Sequence, residues 1–263
     1  MEIPIYQVDA FTAVPFSGNP AAVCILTSKF NEAWMQRVAS EMNLSETAFV
    51  IPEGDGYHLR WFTPTTEVKL CGHATLASAF VLFEREYIAS EKVIKFLTSS
   101  GLLTSQKSGE WIWMNFPRFE VVDIKPPPGL MDALGLTATN VLKSGENILV
   151  EVKSEEEVKG CNPDFGQLIK LPLQGVAITA RSARPEYDFV SRYFAPWVGI
   201  DEDPVTGSAH CCLGPYWGAR INKEEMTAYQ VSSRGGIVKM ILDKDRVKLG
   251  GQAVMILEGM VLA

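Results

Sequence analysis

Glu46 is the first residue whose type and position indicate acid–base chemistry. It lies in the segment NLSET, residues 43–47, between the end of a predicted helix and the start of a predicted strand. Loops between elements commonly carry catalytic groups, and a carboxylate in one can take up a proton and return it. The alternative is a surface acid or a capping residue, and the spacing alone leaves both interpretations open.

The segment Cys71-Gly72-His73 opens a strongly apolar predicted helix and offers a thiol, a glycine and an imidazole in a row. A thiol at a helix N-terminus can have a lowered pKa, and a glycine lets the backbone approach a ligand closely. The histidine there is a candidate for orienting polar groups or shuttling protons. Each has a structural alternative, since Cys71 also reads as a small buried apolar residue and His73 as a hydrogen-bonded core histidine.

A second group of candidates lies in the segment DEDPVTGSA, residues 201–209, ahead of another apolar helix. Asp203 offers a carboxylate, Gly207 a close backbone approach and Ser208 a hydroxyl. Acids before a helix also complement its dipole, and a serine there also satisfies helix amides, so structural roles stay open for both. Asn19, in the segment GNP, is either a turn residue or an amide that faces a ligand.

Alternating strands and apolar helices must position these candidates. Predicted strands cover residues 3–11, 21–26, 47–51, 57–63, 92–98 and 110–116, and then 147–153, 175–181, 188–195, 229–232, 237–242, 246–249 and 253–262. Asn31 is predicted to cap a helix that runs to about Asn43. Two apolar helices follow, from Gly72 to about residue 85 and over residues 208–221. Because a helix with almost no polar face is buried, each half is predicted to wrap strands around one helix.

An internal repeat relates the two halves. The segment RWFTP at 60–64 resembles RYFAP at 192–196, an offset of 132 residues, and GHA at 72–74 is matched by GSA at 207–209, an offset of 135. Two matches in order favour a pseudo-two-fold pair of lobes over two independent strand–loop–helix units. The predicted fold is α+β, with lobes at residues 1–120 and 121–263. The proline run at 126–128 is either a stiff surface loop or the linker between the lobes.

The two helix starts predict the chemical class of ligand. If the lobes face each other, the helix N-termini converge on one cleft, and each offers unpaired amides and the positive end of a helix dipole. An anionic small molecule, most simply a carboxylate, suits such a cleft.

Composition and motifs exclude several classes of protein. The 263 residues carry a net charge of −7 without a basic run, which argues against nucleic acid as a partner. No apolar stretch reaches the roughly 20 residues of a membrane helix, and the first residues lack signal-peptide features, so a cytoplasmic location is expected. Five cysteines without CxxC spacing argue against disulfides and Cys-based zinc sites. HExxH, GxGxxG and P-loop motifs are absent from the sequence.

Taken together, the motifs resemble those of the PhzF-like isomerases of phenazine biosynthesis. The resemblance rests on DAF at 9–11, GNPAAV at 18–23, NLSET at 43–47, RWFTP at 60–64, CGHAT at 71–75 and DPVTGSA at 203–209. It implies a diaminopimelate-epimerase fold, with two pseudo-symmetric lobes, each a central buried helix wrapped by a mostly antiparallel sheet, and the site between them. It also implies no metal and no organic cofactor. The best-known activity of the family is isomerisation of a dihydro-hydroxyanthranilic acid, and homodimers are common in it.

The resemblance also assigns roles to single positions. Glu46 matches the acid/base carboxylate of the family. Cys71 stands where related two-thiol epimerases and racemases keep one catalytic cysteine, but the equivalent position of the second lobe is Thr206. A two-cysteine proton relay is therefore not available, which favours a carboxylate-based isomerase and leaves a supporting role for Cys71 open.

The resulting hypothesis is a cofactor-independent isomerase of a small carboxylate-bearing substrate. Glu46 moves the proton, and two further side chains orient polar groups or shuttle protons. The remaining site residues bind the substrate. The two proton-handling partners are His73 and Asp203, and the substrate-binding residues are Asn19, Gly72, Gly207 and Ser208. Two alternatives stay open: a racemase or epimerase assisted by Cys71, and a metabolite-binding or interaction protein without turnover.

Overall fold

The structure is a computed structural model that describes residues 2–28 and 30–262. In chain order, the elements up to the first long buried helix are β1 (Glu2–Ala10), β2 (Asn19–Ile25), α1 (Glu32–Met42), β3 (Glu46–Glu53), β4 (Gly56–Phe62), β5 (Glu67–Val68) and α2 (Gly72–Glu84). The following elements are β6 (Val93–Thr98), β7 (Gly101–Ser108), β8 (Trp111–Pro117), β9 (Val122–Asp123), α3 (Leu130–Leu134), β10 (Asn140–Ser144), β11 (Asn147–Glu151), α4 (Glu155–Gly160) and α5 (Phe165–Leu168).

The remaining elements lead to the second long buried helix and the last strands. They are β12 (Gly175–Arg181), β13 (Phe189–Ala195), β14 (Ile200–Asp203), α6 (Gly207–Ile221), β15 (Glu225–Gln230), β16 (Gly236–Asp243), β17 (Arg246–Gly251) and β18 (Ala253–Leu262), with a short 3₁₀ turn at Pro196–Val198. Among the described residues, none of these helices has the length and apolar character needed to cross a membrane.

Residue contacts divide the chain into two units. The first unit comprises the chain up to Phe116 together with the residues from Lys248 onward, and the second unit is Pro117–Val247. This differs from the predicted lobes at 1–120 and 121–263, because β18 pairs antiparallel along almost the whole of β1 and so joins the first unit. The proline run at 126–128 lies inside the second unit, and it does not link the two units.

In the first unit, the strands form a mostly antiparallel sheet with two parallel pairings. β1 pairs antiparallel with β2, and β2 pairs parallel with β3. β3 pairs antiparallel with β4, and β4 pairs parallel with β6. β6 pairs antiparallel with β7, and β7 pairs antiparallel with β8. Helix α2 packs against β1, β2, β3, β7 and β18, and 11 of its 13 residues are buried. An apolar helix with no polar face therefore forms the centre of this unit, as predicted.

The second unit repeats the same order of pairings. β10 pairs antiparallel with β11, β11 parallel with β12, and β12 antiparallel with β13. β13 then pairs parallel with β15, which pairs antiparallel with β16. Its long helix α6 packs against β15 and β16 and is buried over most of its length. The predicted α+β fold, with a central helix and a mostly antiparallel sheet in each half, is confirmed.

The repeated segments RWFTP and RYFAP form the same local structure in both units. Arg60 on β4 makes a bidentate ion pair with Glu67 on β5, with both N–O distances at 2.7 Å, and lies 5.1 Å from the ring centre of Phe62. Arg192 on β13 makes the equivalent pair with Glu202 on β14, at 2.7 and 2.8 Å. A planar guanidinium suits both contacts. Each pair fastens the short strand that precedes a long buried helix.

Helix α1 has the predicted ends. The Asn31 side chain accepts a hydrogen bond from the amide of Ala33 at 2.7 Å, and Asn43 closes the helix in the left-handed conformation. The short helices α3, α4 and α5 were not predicted from the sequence, nor were the strands β5, β7, β9, β10 and β14. All of these elements except β7, which has eight residues, have six residues or fewer, too few to show a period.

Candidate active site

Three elements of the first unit bring their starting residues together. Asn19 is the first residue of β2, Glu46 is the first residue of β3, and His73 is the second residue of α2. β2 and β3 run parallel, with Ala21 opposite Glu46, so the two strands begin at the same edge of the sheet. The site is therefore built at the starts of two strands and one helix, outside the regular hydrogen-bonded pairing of the sheet.

A glycine fixes the point at which β2 begins. Gly18 has a φ of +66°, and a Cβ atom there would lie 2.2 Å from the carbonyl oxygen of Ala10. Just before it, the amide of Phe16 donates a hydrogen bond of 2.7 Å to the buried carboxylate of Asp9. Only glycine fits this position, and the turn delivers Asn19 to the site.

His73 contacts the other three polar side chains of this site. Its Nε2 atom lies 3.1 Å from Oε2 of Glu46. Its Nδ1 atom lies 3.0 Å from the Asn19 amide nitrogen, which donates to it, and 3.6 Å from Sγ of Cys71. His73 and Cys71 are 3% and 5% exposed, whereas the Glu46 side chain is 14% exposed. The carboxylate therefore remains the more accessible member of the group.

Two buried polar atoms of this group face each other. Oε2 of Glu46 and Nε2 of His73 lie 3.1 Å apart, and neither has a further hydrogen-bond partner among the described residues. Buried polar atoms with so few partners are exceptions in a folded protein, and such exceptions point to a functional position.

The pKa values of the group reflect burial and close charges. Burial opposes a charge on His73, but the Cys71 sulfur and the Glu46 carboxylate outweigh it, so the pKa of His73 is raised well above its usual value. The Asn19 amide favours the neutral ring by donating to Nδ1. In both protonation states, Nε2 carries the proton that faces Glu46.

Cys71 does not have the lowered pKa that a helix N-terminus can give. Burial, followed by the nearby negative charge of Glu46, raises the pKa of its thiol to about 11. These two effects outweigh the helix N-terminus and the contact with His73. The thiol therefore stays protonated near neutral pH, which disfavours Cys71 as the base.

The same group contains metal-ligating atom types. Glu46, Cys71 and His73 each offer one donor atom, and the three atoms lie within 4.8 Å of one another. The thiol lies beside Nδ1 of the ring and the carboxylate beside Nε2, so these three donor atoms do not point at one common position.

The candidates of the second unit form a separate group around the start of α6. The Thr206 hydroxyl donates to Oδ2 of Asp203 at 2.5 Å, and the Thr206 amide donates to Oε1 of Gln230 at 2.9 Å. The Gln230 amide nitrogen donates to the carbonyl oxygen of Asp203 at 2.7 Å. Gln230 is fully buried, so it fastens the turn that carries Asp203.

The two long helices begin in the same way. Cys71 and Thr206 occupy the N-cap positions of α2 and α6, and neither side chain caps its helix. Gly72 and Gly207 are the first helical residues and are buried, and Ser208 is partly exposed. The structure thus places Thr206 at the position equivalent to Cys71, as the repeat predicts.

The structure brings part of the predicted site together. One group, in the first unit, contains Asn19, Glu46, Cys71, Gly72 and His73, and the other, in the second unit, contains Asp203, Gly207 and Ser208. Their convergence on a common cleft stays a prediction. Sequence reasoning missed Gln230, because a glutamine at a strand end reads as a surface residue until its partners are known.

Replacing Gln230 with alanine is expected to lower the free energy of unfolding by about 1–3 kcal/mol, because it removes the buried hydrogen bonds that Gln230 makes with the Thr206 amide and the Asp203 carbonyl oxygen. Chemical denaturation of the purified variant measures this loss. Gln167→Ala is the matched control, since Gln167 is exposed on α5, and its effect is expected to stay within about 0.5 kcal/mol. Equal stabilities for the two variants would contradict the role given to Gln230.

Comparisons with known proteins agree on the kind of molecule. A sequence model of the family described as phenazine biosynthesis-like protein (PhzC-PhzF) matches residues 8–259. An uncharacterised isomerase of Halalkalibacterium halodurans is 53% identical over 263 residues, covering 100% of this chain and 99% of the relative. A crystal structure of a PhzF-family phenazine biosynthesis protein of Enterococcus faecalis is 44% identical, covers 100% of both chains and gives a TM-score of 0.94. A probable proline racemase of Agrobacterium radiobacter, 11% identical with a TM-score of 0.64 over 99% of this chain and 92% of the other, shares the fold alone.

Proposed function

The chain belongs to the phenazine biosynthesis-like protein family and is an isomerase, and from this premise we propose that it moves a proton between carbon atoms of a small carboxylate-bearing substrate. Glu46 is the proposed proton carrier. The observation that supports this choice most directly is the Glu46–His73 pair, with an accessible carboxylate 3.1 Å from a buried imidazole.

The proposed cycle balances without a redox step. The Glu46 carboxylate takes a proton from one substrate carbon, and the electron pair left behind delocalises into the adjoining unsaturated system. The protonated Glu46 then returns the proton to a different carbon, which shifts a double bond. General acid–base catalysis of this kind contributes roughly 10²–10⁴-fold in rate.

His73 is proposed to prepare Glu46 for the first step. Because Asn19 donates to Nδ1, the Nε2 proton faces the Glu46 carboxylate. This contact orients the carboxylate through a buried ring.

Backbone amides at the helix starts are proposed to anchor the substrate carboxylate. In the first unit these are the amides of Gly72 and His73, where the N-cap side chain leaves the helix end uncapped. Uncapped amides and the helix dipole favour an anion. Asp203, Gly207 and Ser208 remain predicted substrate contacts on the second unit. The proposal includes no metal or organic cofactor in the reaction.

A ligand screen tests the substrate class. A panel of small unsaturated hydroxy- and amino-carboxylates is compared with the corresponding primary amides by thermal shift. A ligand at 100 times its Kd stabilises a folded protein by about 2.7 kcal/mol. We expect stabilisation by carboxylates and not by their amides, and equal effects from both sets would contradict the carboxylate anchor.

The alternative of a cysteine-assisted racemase gains no support from the site. Replacing Cys71 with serine is expected to lower kcat/KM by less than about tenfold, because a protonated thiol without a second thiol at Thr206 completes no relay. Steady-state kinetics of Cys71→Ser measure the effect, with Cys161→Ser as a control for loss of a buried thiol elsewhere. A loss of about 10²-fold confined to Cys71→Ser would favour the racemase.

A further inference from the structure

We propose that Thr206 is a positioning residue for Asp203, and that its hydroxyl holds the Asp203 carboxylate in the orientation that the reaction uses. Thr206 itself does not touch the substrate in this account. The geometry rests on contacts within the second unit. The effect on turnover rests on the proposed function, because it requires Asp203 to contact the substrate.

The side-chain amide of Gln230 has a fixed orientation. Its Oε1 atom accepts a hydrogen bond of 2.9 Å from the Thr206 amide, and its Nε2 atom donates to the carbonyl oxygen of Asp203 at 2.7 Å. A flipped amide would set N–H against N–H and oxygen against oxygen, so both contacts exclude the flip. Gln230 is fully buried, and its Nε2 atom therefore presents its two donors to this turn.

The orientation of Gln230 sets the direction of the Thr206 hydroxyl. Nε2 of Gln230 lies 3.2 Å from Oγ1 of Thr206, so the hydroxyl oxygen accepts a hydrogen bond there. The hydroxyl proton then points to Oδ2 of Asp203, 2.5 Å from Oγ1. Because a hydroxyl has one proton to donate, the hydrogen bonds run from Gln230 through Thr206 and end on the carboxylate.

Thr206 does not take the usual role of its position. It is the N-cap residue of α6, where a threonine hydroxyl commonly accepts a hydrogen bond from an amide of the first helical turn. Among the described residues it caps no such amide, since its hydroxyl faces Gln230 and Asp203 instead. A local preference that is set aside in favour of a candidate site residue is typical of a functional position.

These contacts select one conformation of Asp203. The carboxylate of an aspartate rotates over a broad range about its last side-chain bond. Here Thr206 holds Oδ2, and Gln230 holds the backbone carbonyl of the same residue. Because a misplacement of about 1 Å in a site can cost about 10²-fold in rate, loss of the Thr206 hydroxyl is expected to lower turnover although the Asp203 side chain is unchanged.

Thr206→Val removes the hydroxyl and keeps the shape of the side chain. With a carboxylate identified by the ligand screen, it is expected to lower kcat by about tenfold to 10²-fold, and Thr206→Ser, which restores a hydroxyl, is expected to recover most of the wild-type kcat. The matched control is Thr179→Val, because Thr179 is also buried in the second unit and its hydroxyl donates to Val190 and accepts from Trp217. Both valine variants are expected to lose stability, so they are assayed well below their unfolding temperatures. An equal kcat in the two overturns the proposal.

A double-mutant cycle shows whether Thr206 acts through Asp203. A positioning residue has little left to do once the side chain that it positions is gone. Adding Thr206→Val to Asp203→Ala is therefore expected to change kcat by less than about twofold. Losses that multiply in the double variant would mean that the two residues act independently, and they overturn the proposal.

Neutron diffraction from deuterium-exchanged crystals of the wild-type chain tests the geometry without any substitution. A deuteron on Oγ1 of Thr206 that points to Oδ2 of Asp203 is expected. A deuteron that points elsewhere, or a hydroxyl oxygen that accepts from an amide of α6, overturns the proposal even where the variants fail to fold. If no carboxylate of the panel is turned over, the proposed function fails, while the neutron structure still decides whether Thr206 holds Asp203.

Discussion

Replacing Glu46 with glutamine is expected to lower kcat/KM by about 10²-fold or more while the protein remains folded, which is roughly 3 kcal/mol or more of transition-state stabilisation. The amide keeps the shape of the side chain and removes the group that takes the proton. The loss is expected in kcat, because the base acts in the chemical step. Steady-state kinetics with the carboxylate identified by the ligand screen measure it.

The same strand supplies a matched control for this prediction. Glu53 is the last residue of β3 and is exposed, so Glu53→Gln makes the same chemical change at the far end of the strand that Glu46 begins. Its kcat/KM is expected to stay within about twofold of wild type. Comparable losses in both variants would mean that the effect comes from the fold, and full activity in Glu46→Gln would remove Glu46 from the mechanism.

A large effect of pH on stability is expected from His210. This residue of α6 is fully buried, lies 6.0 Å from the ring centre of Phe189 and donates Nδ1–H to the carbonyl oxygen of Thr206 at 2.8 Å. Its Nε2 atom is buried and makes no hydrogen bond among the described residues. Burial lowers the pKa of His210 to about 4. Protonation of Nε2 would place a charged N–H in the core without an acceptor.

The sign of the effect follows from the lowered pKa. Between pH 6.5 and 4, the unfolded chain binds a proton at this residue and the folded chain does not, so stability rises with pH. The contribution is fully present above pH 6.5 and is lost as the pH falls towards 4. At 1.36 kcal/mol per pKa unit, it is on the order of 3 kcal/mol.

Chemical denaturation at about pH 7 and about pH 4.5 measures this change. His210→Gln removes the titrating group and keeps a hydrogen-bond donor. From about pH 7 to about pH 4.5, the free energy of unfolding of His210→Gln is expected to fall less than that of the wild type, and the difference separates the contribution of His210 from that of the carboxylates. An equal fall in the two proteins would contradict the assignment. A ring resonance of His210 that titrates near pH 6.5 in the folded protein would contradict it too.

Much of the fold could be predicted because its signals are local or repeated. The offsets of 132 and 135 residues correspond to β4 with β13 and to α2 with α6. The apolar runs after Gly72 and Gly207 predict buried central helices, and both are observed. The family resemblance is confirmed by the match over residues 8–259.

Other features depend on contacts that no local pattern contains. The bidentate pairs Arg60–Glu67 and Arg192–Glu202 join strands whose pairing must be known first. The last strand lies beside β1 because of a register that spans the whole chain, so a boundary drawn at the midpoint misplaces it. The raised pKa of Cys71 comes from burial and from Glu46, two effects that its position before a helix does not reveal.

The candidate site also contains both kinds of feature, those that sequence motifs predict and those that depend on contacts in the fold. Glu46, His73 and Cys71 could be selected from their motifs, and the structure places them in contact. Their hydrogen-bond partner Asn19 was also selected, but its contact with His73 depends on the pairing of β1 with β2 and on the turn at Gly18. Gln230 carries no motif, and only its three hydrogen bonds identify its role.

Exchange of carbon-bound protons in deuterated water tests the central claim most directly. The wild-type chain, Glu46→Gln and Cys71→Ser are each incubated with the carboxylates that bind, and deuterium entering carbon positions is followed by NMR. Wild type and Cys71→Ser are expected to exchange substrate protons, whereas Glu46→Gln is expected to lose exchange by about 10²-fold or more. Exchange that persists in Glu46→Gln and disappears in Cys71→Ser would show that the thiol, and not the carboxylate, carries the proton.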